Sequence, residues 1–324
     1  MDALTDVIRL LRPATVLLGS LSGSGQWGVR VPEQPGPTFY FVTEGRCWFQ
    51  ADGETALDLR QGDYILSARP MSDCFFSDPG AEIHLSDESF KAEHHVDGEV
   101  RVGDIGTAPT TRILGGLIQC EPANADLLIG LLPRFVHVPA AEQTAARLRA
   151  LVSIIREEAD DTRSGRDAIL CRLIEVMLIE TLRRGAPEWS PHVGLLGGLA
   201  QPQLAQALAH IHADVARGWT VGELARRVGM SRSVFARRFA EAVGVAPVEY
   251  LLGWRMALAK DALQRDAGTL EEVALAVGYQ SASAFSTAFS HRVGCPPSEY
   301  ASAARPRFGL APVARASENL GGFA

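Results

Sequence analysis

The chain has 324 residues, of which 47% are hydrophobic and 21% charged, and its formal net charge is -7. Such an acidic chain is not expected to coat nucleic acid nonspecifically, because contact with phosphates needs positive charge. The charge is unevenly distributed: residues 1–199 carry 18 Lys and Arg against 28 Asp and Glu, whereas residues 200–310 carry 12 against 9. Only the C-terminal part therefore has the electrostatic sign that binding to phosphates requires.

Short apolar runs broken by glycine, proline and aspartate extend from about Val16 to Val138. Short strands separated by turn residues predict a β-sandwich or jelly roll. The segment Tyr-Phe-Val-Thr-Glu-Gly (residues 40–45), followed by Gly-Asp-Tyr-Ile-Leu (62–66), resembles the cupin domain. The resemblance implies a cupin-like sensor domain over residues 1–138.

The resemblance also bears on what the sensor domain binds. Metal-binding cupins present histidines from these strands, and this chain has Tyr40, Val42 and Asp73 at the corresponding positions. We therefore expect neither a metal ion nor another cofactor. An interior lined by Tyr40, Val42 and Trp48 would suit a small organic effector. The alternative is a filled interior that only mediates contacts between proteins.

The five cysteines include no Cys-X-X-Cys pair, and the chain shows no signal peptide and no apolar run long enough to cross a bilayer. These features predict a cytoplasmic protein with reduced thiols. Some cupin-bearing regulators similar to this chain sense oxidants through cysteines, which would give that role to Cys47 or Cys74. Such a role needs an accessible thiol of lowered pKa. No phosphate-binding glycine loop, zinc-protease motif or hydrolase elbow occurs, so no catalytic residue is assigned.

Two helical segments follow the strands. Residues 140–159 and 167–184 repeat apolar side chains at helical spacing, and the second segment has a wider apolar surface than one partner helix covers. Such a pair of helices, within residues 139–185, commonly forms a dimer interface, and packing onto the sandwich of the same chain is the alternative. Residues 186–200, rich in glycine and proline, predict an interdomain linker.

A motif that occurs twice dominates the C-terminal part. The first copy reads Glu-Leu-Ala-Arg-Arg-Val-Gly-Met from Glu223 to Met230. Thr220 is the expected N-cap of this helix, in a capping box with Glu223. Gly229 supplies the left-handed conformation that ends the helix, and Ser231 is the expected N-cap of the next one.

The second copy repeats both the apolar frame and the turn residues. It runs from Glu272 to Tyr279 and is followed, like the first copy, by two phenylalanines one helical turn apart. The further shared residues are Phe235, Phe239, Gly244, Pro247 and Tyr250 in the first copy and Phe285, Phe289, Gly294, Pro297 and Tyr300 in the second. A purely structural repeat needs only similar hydrophobicity. Matching turn residues therefore favour two helix-turn-helix units that bind DNA.

Residues from about 200 to 303 closely resemble the DNA-binding domain of AraC/XylS-type transcription regulators. The resemblance implies a domain of seven helices over residues 201–305. The small, polar residues of the last segment predict a flexible tail over 306–324. The residues themselves predict a helix from about Pro202 to Ala213 and a long helix from Val248 to about Gln264. A rigid connector of this kind would let both reading helices enter successive major grooves, about 34 Å apart, or bend the DNA.

The resemblance implies that the outer faces of the two second helices contact base edges. The base-facing candidates are Ser233, Ala236 and Arg237 in the first unit and Ala282, Ser283, Ser286 and Thr287 in the second. The candidates for phosphate contact are Arg232, Arg238, His291 and Arg292. Arg237 is the best candidate for sequence readout, because a guanidinium can form two hydrogen bonds to guanine.

The sequence thus predicts an α+β protein of two domains: a cupin-like β-sandwich or jelly roll with a helical dimerisation segment, then an all-α double helix-turn-helix domain. We expect a dimeric transcription regulator, not an enzyme, that binds double-stranded DNA and responds to a small-molecule effector. RNA polymerase would be a further partner of an activator. Three alternatives stay open: a cysteine-based redox response, a cupin enzyme fused to a DNA-binding anchor, and a DNA-architectural protein that needs no ligand.

Overall fold

The computed structural model describes residues 3–120, 129, 132–159, 162–183 and 194–304, and its strands all precede residue 139. In chain order they are β1 (Pro13–Ser24), β2 (Gly28–Val31), β3 (Thr38–Glu44), β4 (Arg46–Ala51), β5 (Leu57–Arg60), β6 (Tyr64–Ser67), β7 (Asp73–Phe76), β8 (His84–Leu85), β9 (His95–Val96), β10 (Glu99–Gly103), β11 (Thr111–Cys120) and β12 (Phe135–Val138). They form a seven-stranded sheet in the order β12-β6-β3-β11-β1-β10-β9 and a five-stranded sheet in the order β5-β4-β7-β2-β8.

The two sheets share one hydrophobic core, as the prediction of a cupin-like sandwich requires. The seven-stranded sheet contributes Tyr40, Val42 and Ile113 to this core, and the five-stranded sheet contributes Phe49 and Phe75. Aromatic rings pack against each other there: the ring centroid of Phe75 lies 4.7 Å from that of Tyr40 and 5.2 Å from that of Phe49. Side chains thus occupy much of the space between the sheets.

Helices cover the second face of the seven-stranded sheet. The helices of the N-terminal part are α1 (Ala3–Leu11), α2 (Glu88–Glu93), α3 (Gln143–Ala159) and α4 (Arg166–Leu182). Helix α4 packs against β1 and α3, and α1 packs against α4. Because this sheet is covered on both faces, four consecutive residues from Phe39 to Val42 are buried, without the apolar–polar alternation of a half-exposed strand.

The helix pair within residues 139–185 therefore packs onto the sandwich of its own chain, the alternative that the sequence left open. A role in dimerisation stays a prediction. Helix α4 still exposes two large apolar side chains at helical spacing, Ile169 and Val176, each 45% accessible. Such a residual apolar stripe is what a second contact surface on this helix would use.

Residues 194–304 form helices joined by short turns. These helices are α5 (Leu195–Leu199), α6 (Pro202–Ala213), α7 (Val221–Arg227), α8 (Arg232–Val243), α9 (Pro247–Gln264), α10 (Leu270–Ala276), α11 (Ala282–Val293) and α12 (Pro297–Ala304). The seven helices that the resemblance implied are α6 to α12, all within the described residues 202–304. The chain divides into two compact units between Trp254 and Arg255, inside α9, and each unit contains one helix-turn-helix.

The predicted linker, residues 186–200, is only partly described, and the described part is not an extended connector. Residues 195–199 form α5, in which Leu195 is fully buried. The Gly194 N–H donates to the Ala242 carbonyl at 3.0 Å. A Cβ at Gly198 would lie 2.8 Å from the Val243 side chain, so glycine here permits a close helix contact rather than flexibility. The predicted tail over 306–324 lies outside the described residues.

Local hydrogen bonds explain why each helix-turn-helix begins and turns as it does. In the first unit the Thr220 side chain accepts from the Glu223 N–H at 3.2 Å. The reciprocal half of the predicted capping box is absent from this cap, because the Glu223 carboxylate binds Arg217 at 2.6 Å instead. The full box forms in the second unit between Thr269 and Glu272.

Glycines make both turns, as predicted. Gly229 has a φ of 69° and Gly278 a φ of 84°, in the left-handed region that glycine adopts without steric cost. The predicted N-cap of the first reading helix, Ser231, is confirmed, and Ser281, which the sequence analysis did not name, is the N-cap of the second. Ser231 accepts from the Val234 N–H, and Ser281 accepts from the Ala284 N–H.

Candidate nucleic-acid interface

Helix α8 buries one face and exposes the other. Phe235 and Phe239 are fully buried, and their ring centroids lie 5.6 Å apart. The predicted base-facing residues lie on the remaining surface: Ser233 and Arg237 are exposed, and Ala236 is half-buried. The apolar stripe thus fixes the orientation of the helix and presents these three side chains outward.

The Arg237 guanidinium is available to a ligand. Its side chain is 70% exposed, and its Nε lies 3.9 Å from a Glu241 carboxylate oxygen one turn away. An exposed pair at this distance contributes little stability, so breaking it on binding costs little. Five N–H donors in a planar fork suit the O6 and N7 acceptors of guanine.

Helix α11 has the same frame and a different outer face. Phe285 and Phe289 are fully buried, with centroids 5.4 Å apart. Ser283 and Thr287 are exposed, and Ser286 is half-buried, as is Ala282.

Two of the outward hydroxyls of α11, those of Ser286 and Thr287, already donate hydrogen bonds within the helix. The Ser286 hydroxyl donates to the Ala282 carbonyl at 2.7 Å, and the Thr287 hydroxyl donates to the Ser283 carbonyl at 3.1 Å. Each oxygen then keeps only acceptor capacity toward a ligand. This arrangement suits the amino group of adenine or cytosine, and the Thr287 methyl suits the methyl group of thymine.

The four candidates for phosphate contact are all exposed. Arg232 begins α8, and Arg238 follows Arg237 along the same helix. His291 and Arg292 lie in the last turn of α11. Basic side chains that flank a base-reading surface position a protein on DNA without reading its sequence.

Comparison with known proteins agrees with both halves of this architecture. Residues 2–186 match the cupin family, and residues 224–303 match a family described as a helix-turn-helix domain. An AraC-like transcription regulator of Streptomyces lividans is 37% identical over 303 residues, which cover 93% of this chain and 98% of that protein. The chain belongs to the AraC-like transcription regulators. It is therefore a DNA-binding protein of transcription control, as the repeated motif predicted.

The chain is also similar to two further proteins. The transcriptional regulator AlkR of Acinetobacter baylyi is 29% identical over 287 residues, which cover 85% of this chain and 91% of that protein. A solved structure of a transcriptional regulator with an AraC-type DNA-binding domain, from Chromobacterium violaceum, is 26% identical. It covers 33% of this chain and 96% of its own, with a TM-score of 0.31. In the described part of this AraC-like regulator, every helix is too short or too polar to span a bilayer.

The interior of the sensor domain differs from its prediction at one residue. Tyr40 and Val42 lie in the core between the sheets, as expected. Trp48 does not: it alternates along β4 with the core residues Cys47 and Phe49 and is only half-buried. The Arg46 guanidinium lies 5.7 Å from the Trp48 ring centroid on that outer face. Successive strand residues point to opposite faces, so Cys47 and Phe49 in the core exclude Trp48 from it.

A buried carboxylic acid, Asp73, contacts Tyr40, one of the predicted pocket residues. The Tyr40 hydroxyl and the Ser67 hydroxyl each donate to the Asp73 carboxylate at 2.9 Å. Burial raises the pKa of Asp73 to about 6, although both hydrogen bonds act in the opposite direction. Burial likewise raises the pKa of Tyr40, and the neighbouring Asp73 charge adds to this effect. The polar groups of Tyr40 and Asp73 are thus hydrogen-bonded to each other.

The two candidate redox cysteines are poorly suited to that role. Cys47 and Cys74 are both buried free thiols. Burial raises the pKa of Cys47 to about 12, and burial is also the main reason that the pKa of Cys74 is raised. Since the thiolate is the form that oxidants attack, these environments disfavour reactivity.

A polar contact that the sequence did not reveal links the N-terminal helix to the first helix-turn-helix. His212, at the end of α6, has a fully buried side chain. Its Nδ1 lies 3.1 Å from an Asp6 carboxylate oxygen on α1, and its Nε2 lies 2.8 Å from the Tyr250 hydroxyl on α9. The Trp254 ring packs 4.3 Å from the imidazole. Tyr250 in turn contacts Phe239 of the reading helix edge-on at 5.8 Å.

Proposed function

We propose that the N-terminal domain of this regulator binds a small molecule and thereby controls sequence-specific binding of DNA by α8 and α11. The observation that carries this proposal is the chain of contacts from Asp6 through His212 and Tyr250 to Phe239. It connects the N-terminal helix with the core of the first reading unit. A shift of α1 would thus change the support of α8.

The contacts around α1 give the proposal its physical basis. Helix α1 is amphipathic and buries Leu4, Val7, Ile8 and Leu11. It packs against α4, which covers the sensor sheet, and against α6, which supports the first helix-turn-helix. One helix therefore contacts an element of each functional part. A ligand that favours one position of α1 over another would shift the equilibrium between two states of the reading unit.

In this proposal the outward side chains have separate roles in DNA binding. Arg237 reads a guanine, and Ser233 and Ala236 supply close contacts beside it. Ala282, Ser283, Ser286 and Thr287 read through methyl contacts and acceptor oxygens. Arg232, Arg238, His291 and Arg292 contact phosphates and make the affinity depend on salt concentration.

We also propose that the regulator acts as a homodimer through α4. Ile169, Leu173 and Val176 follow one another at spacings of four and three residues, and all three remain partly or largely exposed. A stripe at this spacing is the seam by which two helices pack. Val176→Glu is expected to shift the molar mass measured by light scattering from dimer to monomer. An unchanged mass would contradict the use of this stripe.

The test of the proposed function starts from DNA selection. Fragments of the source genome that bind the full chain are sequenced, and the shared sequence is used in fluorescence anisotropy with and without a library of small metabolites. We expect a shared sequence bound at least a thousandfold more tightly than random DNA, and a change in its affinity with one class of metabolite. Failure to enrich any sequence, or an affinity that no metabolite alters, would contradict the proposal.

A second measurement tests the route through α1. Asp6→Asn keeps the shape of the side chain and removes its charge next to His212. We expect the variant to bind the selected sequence and to respond less to the effective metabolite. A full response in the variant would show that the signal does not pass through this contact.

A further inference from the structure

A charged cavity of about 480 Å³ lies outside the sandwich interior, on the helix-covered face of the seven-stranded sheet. Its lining residues are Ser20, Thr43, Glu44, Asp97, Glu99, Arg101, Arg112, Ile113, Leu114 and Arg156. The face follows from strand alternation: Leu21, Val42 and Val102 pack into the core, so their neighbours point the other way. Arg156 closes the cavity from the C-terminal part of α3. The volume is within the range of about 300–1,000 Å³ that small-molecule sites occupy.

One guanidinium in this cavity holds two carboxylates. Arg112 Nη1 lies 3.0 and 3.2 Å from the two Glu44 carboxylate oxygens, and Arg112 Nε lies 3.5 Å from Glu99. These carboxylates raise the pKa of Arg112. Arg101 is paired only loosely, with its Nε 3.9 Å from Glu99. Arg112 thus contacts two of the three carboxylates of the lining, and Arg101 contacts Glu99 only at the longer distance.

Two polar atoms beside the cavity lack hydrogen bonds within the described part of the chain. They are Arg101 Nε and Ser22 Oγ, both buried. Ser22 on β1 is in register with Arg101 on β10 and with Arg112 on β11, so the three residues lie side by side on this sheet. A buried polar group without a partner destabilises the folded chain, and a ligand that supplies the missing contacts would remove that cost.

The charges of the lining select the class of ligand. Three guanidiniums, of Arg101, Arg112 and Arg156, face three carboxylates, of Glu44, Asp97 and Glu99. A ligand with only a negative or only a positive charge would leave this partly enclosed site with an excess charge. A ligand that carries both charges keeps it neutral and can bind a guanidinium and a carboxylate at once.

We propose that this cavity is the small-molecule site of the regulator and that it binds a small zwitterion of the amino-acid class. The carboxylate of the ligand contacts Arg101 and Arg156, and its ammonium group contacts Glu44 or Asp97. The inference rests on the proposed control by a small molecule and supplies its site and its chemistry. It also relocates that site, because side chains such as Tyr40, Phe49 and Phe75 occupy much of the sandwich interior.

The position of Arg156 connects the cavity with the route proposed above. Arg156 is on α3, α3 packs against α4, and α4 packs against α1. A carboxylate that draws Arg156 toward Arg101 would pull on α3 and, through α4, on the helix that carries Asp6. Each step is a contact between neighbouring elements.

The test uses three probes of equal carbon number: 5-aminopentanoate, pentanoate and pentylamine. Their binding to the full chain is measured by calorimetry at concentrations up to roughly 10 mM, which detects millimolar affinity. We expect 5-aminopentanoate to bind at least tenfold more tightly than either singly charged probe. Arg156→Gln should weaken its binding about tenfold or more, as the loss of one charge-assisted hydrogen bond does. The matched control is Arg147→Gln, an exposed arginine on the same helix that pairs with Glu180 and not with the cavity, and it should bind like the wild type.

The outcomes separate the cavity from the function of the protein. Equal binding of pentanoate and 5-aminopentanoate, or equal binding by wild type and Arg156→Gln, would overturn the zwitterion site. So would the absence of binding by all three probes to a chain that still binds its selected DNA. A chain that enriches no DNA sequence would instead contradict the proposed function, whatever the probes do.

Discussion

The two helix-turn-helix units share a frame and differ in what the frame presents. Both have a threonine N-cap, a glycine turn, a buried pair of phenylalanines and a left-handed glycine at the end of the reading helix. Their outer faces differ: α8 carries arginines, and α11 carries short hydroxyl and methyl side chains. Folding requires the frame and places no demand on the outer face. Under the proposed function, the difference between the faces corresponds to two modes of contact with DNA.

The units also differ in what supports them. Tyr250 of the first unit bonds through its hydroxyl to His212, which also reaches Asp6 of the N-terminal helix. The equivalent Tyr300 of the second unit packs edge-on against Phe289 at 5.5 Å, with the Lys260 ammonium 5.9 Å from its ring. The tyrosine of the first unit thus has a polar connection to α1, whereas the tyrosine of the second unit contacts an aromatic ring and an ammonium group of its own unit. One repeated frame therefore has different surroundings in its two copies.

The largest effects are expected where the frame itself is broken. Phe235→Ala and Phe285→Ala each remove a fully buried ring and should cost about 3–5 kcal/mol in the unit concerned. Hydrogen exchange followed by mass spectrometry should then show faster exchange in residues 221–243 for the first variant and in residues 270–293 for the second. Equal effects of either variant on both stretches would show that the two units do not unfold separately.

A smaller effect is expected from the polar connection between the first unit and α1. His212→Leu leaves the Asp6 carboxylate and the Tyr250 hydroxyl without their shared partner, at a cost of about 1–3 kcal/mol. Exchange should rise in residues 3–11 and 221–243 and stay unchanged in 270–293. His210→Leu is the control, because His210 lies on the same helix and contacts Trp219 instead. If both variants change hydrogen exchange in the same stretches, the proposed coupling between α1 and the first unit is contradicted.

The contrast between the outer faces is tested by two neighbouring arginines of α8. Arg237→Ala should lose about 1–3 kcal/mol of discrimination at a single base pair. Arg238→Ala removes the same charge, and it should weaken binding to all sequences alike and lower the salt slope by about 0.9. Affinities for the selected DNA and its single-base variants, at several salt concentrations, distinguish the two. Uniform weakening by Arg237→Ala would show that this residue contacts only phosphate.

The smallest effects concern the caps. Thr220→Ala and Thr269→Ala should each cost about 1 kcal/mol. The second cap should depend on acid, because the Thr269 N–H and hydroxyl both donate to the Glu272 carboxylate and lower its pKa. A lowered pKa gives a stabilisation that is complete above the ordinary value of 4.5 and is lost as the pH falls through the lower, folded-state value. Glu272→Gln should remove this acid step in the exchange of residues 270–276, and a persisting step would assign it to another group.

The sequence predicted the reading units well because their determinants are local. A glycine at the turn, a serine or threonine at the cap and a four-residue spacing of phenylalanines each act within one or two helical turns. The capping box of the first unit failed for a reason that is not local to the box: Arg217 competes for the Glu223 carboxylate. The sequence correctly predicted a strand-rich N-terminal part, but it assigned Trp48 to the wrong face of its strand.

The features that the sequence did not predict correctly, the face of Trp48, the contacts of His212 and the charged cavity, share a cause. In β3 both faces are covered, so burial carries no alternation, and the phase of the neighbouring β4 cannot be inferred from it. His212 gave no signal, because its partners are separated from it by 206 and 38 residues along the chain. The charged cavity was missed because its arginines and carboxylates, each read separately, are ordinary surface residues. Long-range pairing decides all three.

One measurement bears on the reading surfaces above all others: methylation interference at guanine N7 on the selected DNA, with wild type and Arg237→Ala in parallel. In each half-site of the selected DNA, the wild type should show interference at the guanine that Arg237 contacts in the major groove. Arg237→Ala should lose interference at that guanine and keep the rest of the pattern. A wild type without interference at any guanine, or an unchanged pattern for the variant, would contradict base reading by the outer face of α8.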